Sequence, residues 1–139
     1  MFENIKLTPY TVVILKECIY TNIDWRESNL ADMTSPDYIK SFGLHNTEEE
    51  VLQQLRFMDL LIKFQYYLDR PERLPKTFGI LFYDMVGTDV TSNGFKINKD
   101  LMKTAFVDYQ EFCEDRVAVK DEYFTQKHVD LMSELIKEM

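Results

Sequence analysis

The sequence predicts a mainly α fold, a single-domain helical bundle of about five helices, with one small β-hairpin near residues 78–97 left open as an alternative. Three observations support this prediction. Apolar residues recur at helical spacing in several segments, helix-start residues precede them, and no linker divides residues 1–139. With 139 residues, of which 45% are hydrophobic, the chain can bury a core without disulfides or metal.

The N-terminal third contains two predicted helices. Thr8 is a typical N-cap, and Pro9 occupies the first helical position. The segment that follows, YTVVILKECIY, is rich in β-branched residues, so a strand remains an alternative to the helix there. We expect residues 22–33, which hold the only tryptophan, to form a polar connection. A short second helix, DYIKSF, is then predicted between Pro36 and Gly43.

The strongest helix signal begins at Thr47. Thr47 and Glu50 form a capping box, and a long amphipathic segment follows until Pro71 ends it. Its apolar residues share one helical face, which we expect to pack against the core. The members of this predicted stripe are Val51, Leu52, Leu55, Met58, Leu61, Ile62 and Tyr66.

The C-terminal half continues the helical pattern after one ambiguous segment. TFGILFYDMV is apolar at every phase, so it is either a buried strand or a buried helix that ends at Gly87. Asn98 is the predicted cap of the next helix, and a last helix is predicted from about Asp121. His128 lies on the apolar side of that last helix. Because nothing in the sequence pairs it with His45, we interpret His128 as a packed side chain and not as a ligand or catalytic base.

The loop GTDVTSNGF suggests a weak EF-hand-like calcium site as an alternative function. With Asp89 at the first position of such a loop, Thr91 and Asn93 take the third and fifth, and Asp100 takes the twelfth. The hydrophobic anchor is misplaced, because Lys96 stands where it belongs, and the ligand set holds few carboxylates. We therefore predict no metal and no cofactor, and interpret the stretch as a polar turn.

Composition argues against several classes of function. The net charge of −8 opposes direct binding to nucleic acid and to anionic membranes. No nucleophile motif or phosphate-binding glycine loop is present, so we predict that the protein is not an enzyme. No apolar run approaches the length of a membrane span, and no signal peptide is recognisable. Cys18 and Cys113 lie in apolar patterns, so we expect a cytoplasmic protein with free, buried thiols.

Negative charge is concentrated in the C-terminal quarter, where residues 108–139 hold nine acidic and four basic residues. We predict a non-enzymatic protein that inhibits or modulates a partner with a basic surface, such as a nucleic-acid-handling protein, through an acidic, aromatic-bearing helical surface. The predicted contact residues are Asp108, Tyr109, Glu111, Glu114, Asp115, Asp121, Glu122 and Tyr123. This general profile is similar to that of small phage-encoded or immunity-type inhibitors. A structural or assembly protein that acts through homo-oligomerisation is the alternative.

Overall fold

The described part of the chain is a bundle of α-helices, as predicted. The computed structural model describes residues 2–37, 48–87 and 93–139, and for residues 93–96 it describes the backbone alone. Within these ranges the helices are α1 (Pro9–Thr34), α2 (Glu48–Leu68), α3 (Phe78–Val86), α4 (Asn93–Ala118) and α5 (Gln126–Lys137). A 3-10 turn at Pro71–Arg73 follows α2, and one isolated bridge pairs Lys6 with Thr77. None of the described helices has both the length and the apolarity needed to cross a bilayer.

Helix α1 is longer than predicted, because residues 22–33 continue the helix and do not form a connection. Its start is as expected: the Thr8 hydroxyl accepts a hydrogen bond from the backbone N–H of Thr11 at 3.2 Å. The continuation is fixed by Asn22, which is fully buried. Its side-chain amide donates to a carbonyl of its own helix at 2.9 Å and to the carbonyl of Ala105 in α4 at 3.1 Å. A polar residue assigned to a loop therefore ties two helices together.

The hairpin alternative near residues 78–97 is wrong for the described residues, because Phe78–Val86 is α-helical. Gly87 ends this helix with a φ of 101°, which glycine adopts without strain. Helix α4 begins at Asn93, so Asn98 is inside the helix and does not cap it. The Asn98 side-chain oxygen instead accepts a hydrogen bond from Nε of Arg56 in α2 at 2.9 Å. Helix α5 begins at Gln126, later than its predicted start near Asp121.

The core has an aromatic centre between α2, α3 and the N-terminal segment. The ring of Phe82 lies 4.8 Å from that of Phe2, 5.8 Å from Phe78 and 6.5 Å from Phe64, measured between centroids. The apolar residues of α4 recur at helical spacing and predict one inward face, which the structure confirms at its main positions, with α5 packed beside it. The members of this predicted face are Leu101, Met102, Ala105, Phe106, Tyr109, Phe112 and Cys113. The fully buried residues of α4 are Met102, Ala105, Phe106, Tyr109 and Cys113.

Both cysteines are buried free thiols, as expected. Burial raises the pKa of Cys18, and it raises that of Cys113 to about 11. Because the thiolate is the reactive form of cysteine, both side chains stay protonated and unreactive at neutral pH. They contribute to the fold as small hydrophobic groups between α1 and α4.

Of the apolar stripe that its sequence predicts, helix α2 buries only Leu61. The residues that it buries are Phe57, Leu60, Leu61, Phe64 and Leu68. Four members of the predicted stripe are instead 46–56% exposed: Leu52, Leu55, Ile62 and Tyr66. Because α2 carries apolar side chains around most of its circumference, periodicity alone allows two faces. The face with two phenylalanines faces inward, where Phe64 stacks with Phe78 of α3.

Candidate functional site

Three half-buried aromatic side chains and one exposed tyrosine form a continuous row from α1 across α4 to the turn before α5. The ring centroids of Trp25 and Phe112 are 5.6 Å apart, those of Phe112 and Phe124 5.2 Å, and those of Phe124 and Tyr123 5.0 Å. All three pairs are edge-to-face, the arrangement that the charge distribution of aromatic rings favours. Tyr123, at the end of the row, is 54% exposed. We call these four residues the aromatic ridge.

Carboxylates lie on the solvent side of α4 and in the turn that follows it, near Phe112 and Tyr123 in the sequence. Five predicted contact residues form this acidic rim: Glu111, Glu114, Asp115, Asp121 and Glu122. All of them are exposed except Asp121, which is half-buried. The Asp121 carboxylate accepts a hydrogen bond from the backbone N–H of Tyr123 at 3.0 Å. This bond fixes the turn that presents Tyr123 to solvent.

Two predicted contact residues are engaged within the protein. Tyr109 has no exposed surface, so the expectation that it is a partly exposed anchor is wrong. The reason is its helical position, one turn from Ala105 and Cys113 on the buried face of α4. Burial raises the pKa of its hydroxyl far above the ordinary value. Asp108 forms an ion pair with Arg26 of α1, so its charge is already neutralised within the fold.

His128 packs against two rings of the aromatic ridge. The imidazole is 5% exposed, and its ring centroid lies 5.8 Å from that of Tyr123 and 5.5 Å from that of Phe124. Its Nδ1 accepts a hydrogen bond from the backbone N–H of Thr125 at 3.2 Å. His128 thus occupies the place that Glu or Gln takes in a capping box. The predicted packing of this histidine is confirmed.

This geometry predicts that protonation of His128 destabilises the fold. Burial lowers the pKa of His128, and the backbone of Thr125 and the charge of Glu17 only partly oppose this effect. The unfolded chain therefore takes up the proton first, at its ordinary pKa of 6.5, while the folded imidazole stays neutral. We expect the free energy of unfolding to fall as the pH drops below about 6.5, by at most about 1.4 kcal/mol per pH unit.

Urea unfolding between about pH 7.5 and about pH 5 tests this dependence while most carboxylates stay ionised. His128→Gln is the matched variant, because Gln can accept the Thr125 hydrogen bond but does not titrate. We expect its stability to change less with pH than that of the wild type. His45→Gln controls for the other imidazole. Equal pH slopes for the wild type and His128→Gln would contradict the assignment.

The calcium loop is not supported by the described backbone. Asp89 and Thr91 lie outside the described residues, but Asn93 and Asp100 both belong to α4. Seven residues of helix separate these two positions by about 10 Å along the axis. In an EF-hand, positions 5 and 12 belong to one loop that folds around the ion, and a straight helix between Asn93 and Asp100 does not have that form. Among the side chains that the structure describes, no cluster of three or more His, Cys, Asp or Glu is placed to hold a metal.

The sequence pattern places Trp25 in a connection and Phe112 and Phe124 on apolar helix faces, and it does not predict that their rings form one row. Phe112 and Phe124 do pack against the core, but both remain partly exposed. The available signal is that Phe112 lies between the buried face and the acidic side of the helix, where side chains are commonly half-exposed. No family model, curated protein or solved structure gives a significant match to this chain.

Proposed function

We propose that the protein is a non-enzymatic binding protein that holds a basic protein partner through the aromatic ridge and the acidic rim. The observation that supports this proposal is the row of ring contacts that ends at the exposed Tyr123, together with exposed carboxylates in the same part of the chain. Protein interfaces concentrate binding energy in a few aromatic anchors that are surrounded by polar residues. The aromatic ridge and the acidic rim match those two parts.

The charge of this region favours a positively charged partner. The acidic rim belongs to residues 108–139, in which acidic residues outnumber basic ones by nine to four. The guanidinium of Arg116, one of these basic residues, lies 5.2 Å from the centre of the Phe112 ring and shields one side of it. Carboxylates at the edge of an interface steer a basic partner and raise its association rate. A protein that handles nucleic acid offers such a surface, and occupation of that surface would inhibit it.

Charge reversal in the acidic rim tests the proposal. The variant carries Glu111→Lys, Glu114→Lys and Asp115→Lys together, and leaves Asp108 intact because that residue holds Arg26. We expect about a 100-fold loss of partner affinity, because like charges would then face each other across the interface. Partners captured from the native cell lysate by the wild type, then purified, supply the ligand for titration at ~0.05 M and ~0.5 M salt.

A matched variant reverses three exposed carboxylates elsewhere, at Asp32, Glu72 and Asp84, and so has the same net charge. It should bind as the wild type does. Tyr123→Ala should weaken binding by about 10-fold without changing the salt dependence, because it removes an anchor and no charge. Equal affinity of the wild type and the rim variant would refute the proposed surface.

A further inference from the structure

The outward side of α2 carries an apolar stripe. Its members are Leu52, Leu55, Ile62 and Tyr66, which are 56%, 47%, 48% and 46% exposed. Their spacing of three, seven and four residues places them on one side of α2, opposite to Phe57 and Phe64. We call these four residues the α2 stripe. Contiguous exposed apolar surface of this kind marks a contact with another protein.

The α2 stripe is complementary to itself in an antiparallel arrangement. Asp59 lies midway between Leu52 and Tyr66, with seven residues on either side. The same residue is also midway between Glu48 and Arg70. A two-fold axis at Asp59 would therefore place Leu52 against Tyr66 of the second copy, and Glu48 against Arg70 of the second copy. An isologous contact requires this kind of self-complementarity.

The charges at the two ends of α2 favour the antiparallel direction. The first turn carries three carboxylates, on Glu48, Glu49 and Glu50. After the last turn, Arg70 and Arg73 alternate with Asp69, which pairs with Lys16 of α1, and with Glu72. An antiparallel pair brings the acidic first turn of each copy to Arg70 and Arg73 of the other, whereas a parallel pair would bring three carboxylates to three carboxylates. The opposed helix dipoles favour the same direction.

A groove beside Leu52 has the composition to receive the far end of a second α2. Its lining residues are Glu49, Glu50, Leu52, Gln53, Arg56 and Ile97. At that far end, the Arg70 guanidinium lies 3.6 Å from the centre of the Tyr66 ring and donates to the Tyr66 carbonyl at 2.7 Å. These two side chains form one preorganised unit. Its ring matches the apolar side of the groove, and its positive charge matches the carboxylates of Glu49 and Glu50.

The centre of the contact is electrostatically compatible with two copies. The Asp59 carboxylate pairs with Lys63 in the same helix at 3.1 Å. In the dimer, the two Asp59 carboxylates would lie near the two-fold axis, and each would be paired with Lys63 one turn away in its own helix. Lys63 can also reach Asp59 of the second copy, because the antiparallel offset between them is one helical turn.

We propose that the protein forms a two-fold symmetric dimer through antiparallel contact of α2 with α2, with Tyr66 and Arg70 of each copy in the groove beside Leu52 of the other. The dimer leaves the aromatic ridge out of the contact and does not depend on the proposed partner. The stripe is short compared with the surface of about 800 Å² per partner that stable complexes bury. The dimer is therefore a reversible one, and concentration controls it.

Sedimentation equilibrium of the full chain over a concentration series tests the dimer. The wild type should convert from monomer to dimer as concentration rises. Ile62→Lys, in the middle of the stripe, should remain monomeric across the same series. Ile80→Lys is the matched control, because Ile80 is 53% exposed on α3, outside the stripe. It should dimerise as the wild type does. A wild type that stays monomeric throughout, or an Ile62→Lys variant that still dimerises, would overturn the proposal.

Charge exchange tests the antiparallel register. Glu48→Arg alone places two arginines against each other at both ends, and Arg70→Glu alone places two glutamates there, so each variant should lose the dimer. An equimolar mixture of the two should regain it, because every end then pairs Arg with Glu. The double variant in one chain should also dimerise. Circular dichroism confirms that each chain is folded. Failure of both the mixture and the double variant to associate would refute this register.

Discussion

Replacement of Phe82 by alanine is expected to lower the free energy of unfolding by about 3–5 kcal/mol. Phe82 has no exposed surface, and its ring meets those of Phe2, Phe64 and Phe78. Truncation removes a large apolar side chain and leaves a cavity among three other rings, which have little freedom to collapse into it. Equilibrium unfolding in urea, with the midpoint and the slope both fitted, measures the loss.

Ile80→Ala in the same helix is the control for this experiment. Ile80 is two residues before Phe82 and is 53% exposed, so the substitution keeps the helix and spares the core. We expect a change of at most about 0.5 kcal/mol. If both variants lost the same stability, residues 78–86 would not present the face that the structure assigns to the core.

Replacement of Arg26 by methionine is expected to cost about 2 kcal/mol of stability. The Arg26 guanidinium pairs with Asp108 across α1 and α4 and lies 4.8 Å from the centre of the Phe57 ring. Its side chain is 17% exposed and that of Asp108 is 36% exposed, so solvent screens the pair only in part. Methionine keeps most of the apolar stem but leaves the Asp108 carboxylate without its partner. Urea unfolding measures the loss.

A double-mutant cycle separates this ion pair from packing. Asp108→Asn removes the charge and keeps the shape, and the Arg26→Met, Asp108→Asn double variant removes both charges. We expect the two single losses to sum to more than the double loss, with a coupling of about 1 kcal/mol or more. If the losses in the free energy of unfolding were additive, Asp108 and Arg26 would not interact. Asp108 would then be available to contact a partner.

The sequence predicts the helical class well and the orientation of helices less well. The cap at Thr8, the long helix after Thr47 and the inward face of α4 follow from local patterns that the structure keeps. The local pattern does not predict the length of α1, because Asn22 is typical of a loop. In the structure, its side chain is satisfied by the Ala105 carbonyl of a distant helix. A polar side chain in a helix is stable when a partner from elsewhere in the chain satisfies it.

The buried face of α2 shows the same limit for apolar residues. Two apolar stripes share this helix, and local spacing describes both equally well. Which stripe is buried depends on the packing of the assembled bundle. There Phe57 and Phe64 are buried, with Phe64 stacked on a ring of α3, and Leu52 and Ile62 are exposed. The candidate site was predicted in part for a similar reason. Charge concentration identifies the acidic rim, but the aromatic ridge joins side chains from three places in the chain.

The interlocking of the aromatic ridge also affects the entropy of any association that uses it. Each ring in the row is held at its edge or face by another, and His128, itself fixed by its bond to Thr125, supports Tyr123 and Phe124. Side chains that are already confined to one rotamer lose little freedom when a partner covers them. The side chains of this surface are therefore ordered before the partner binds, and binding costs them little conformational entropy.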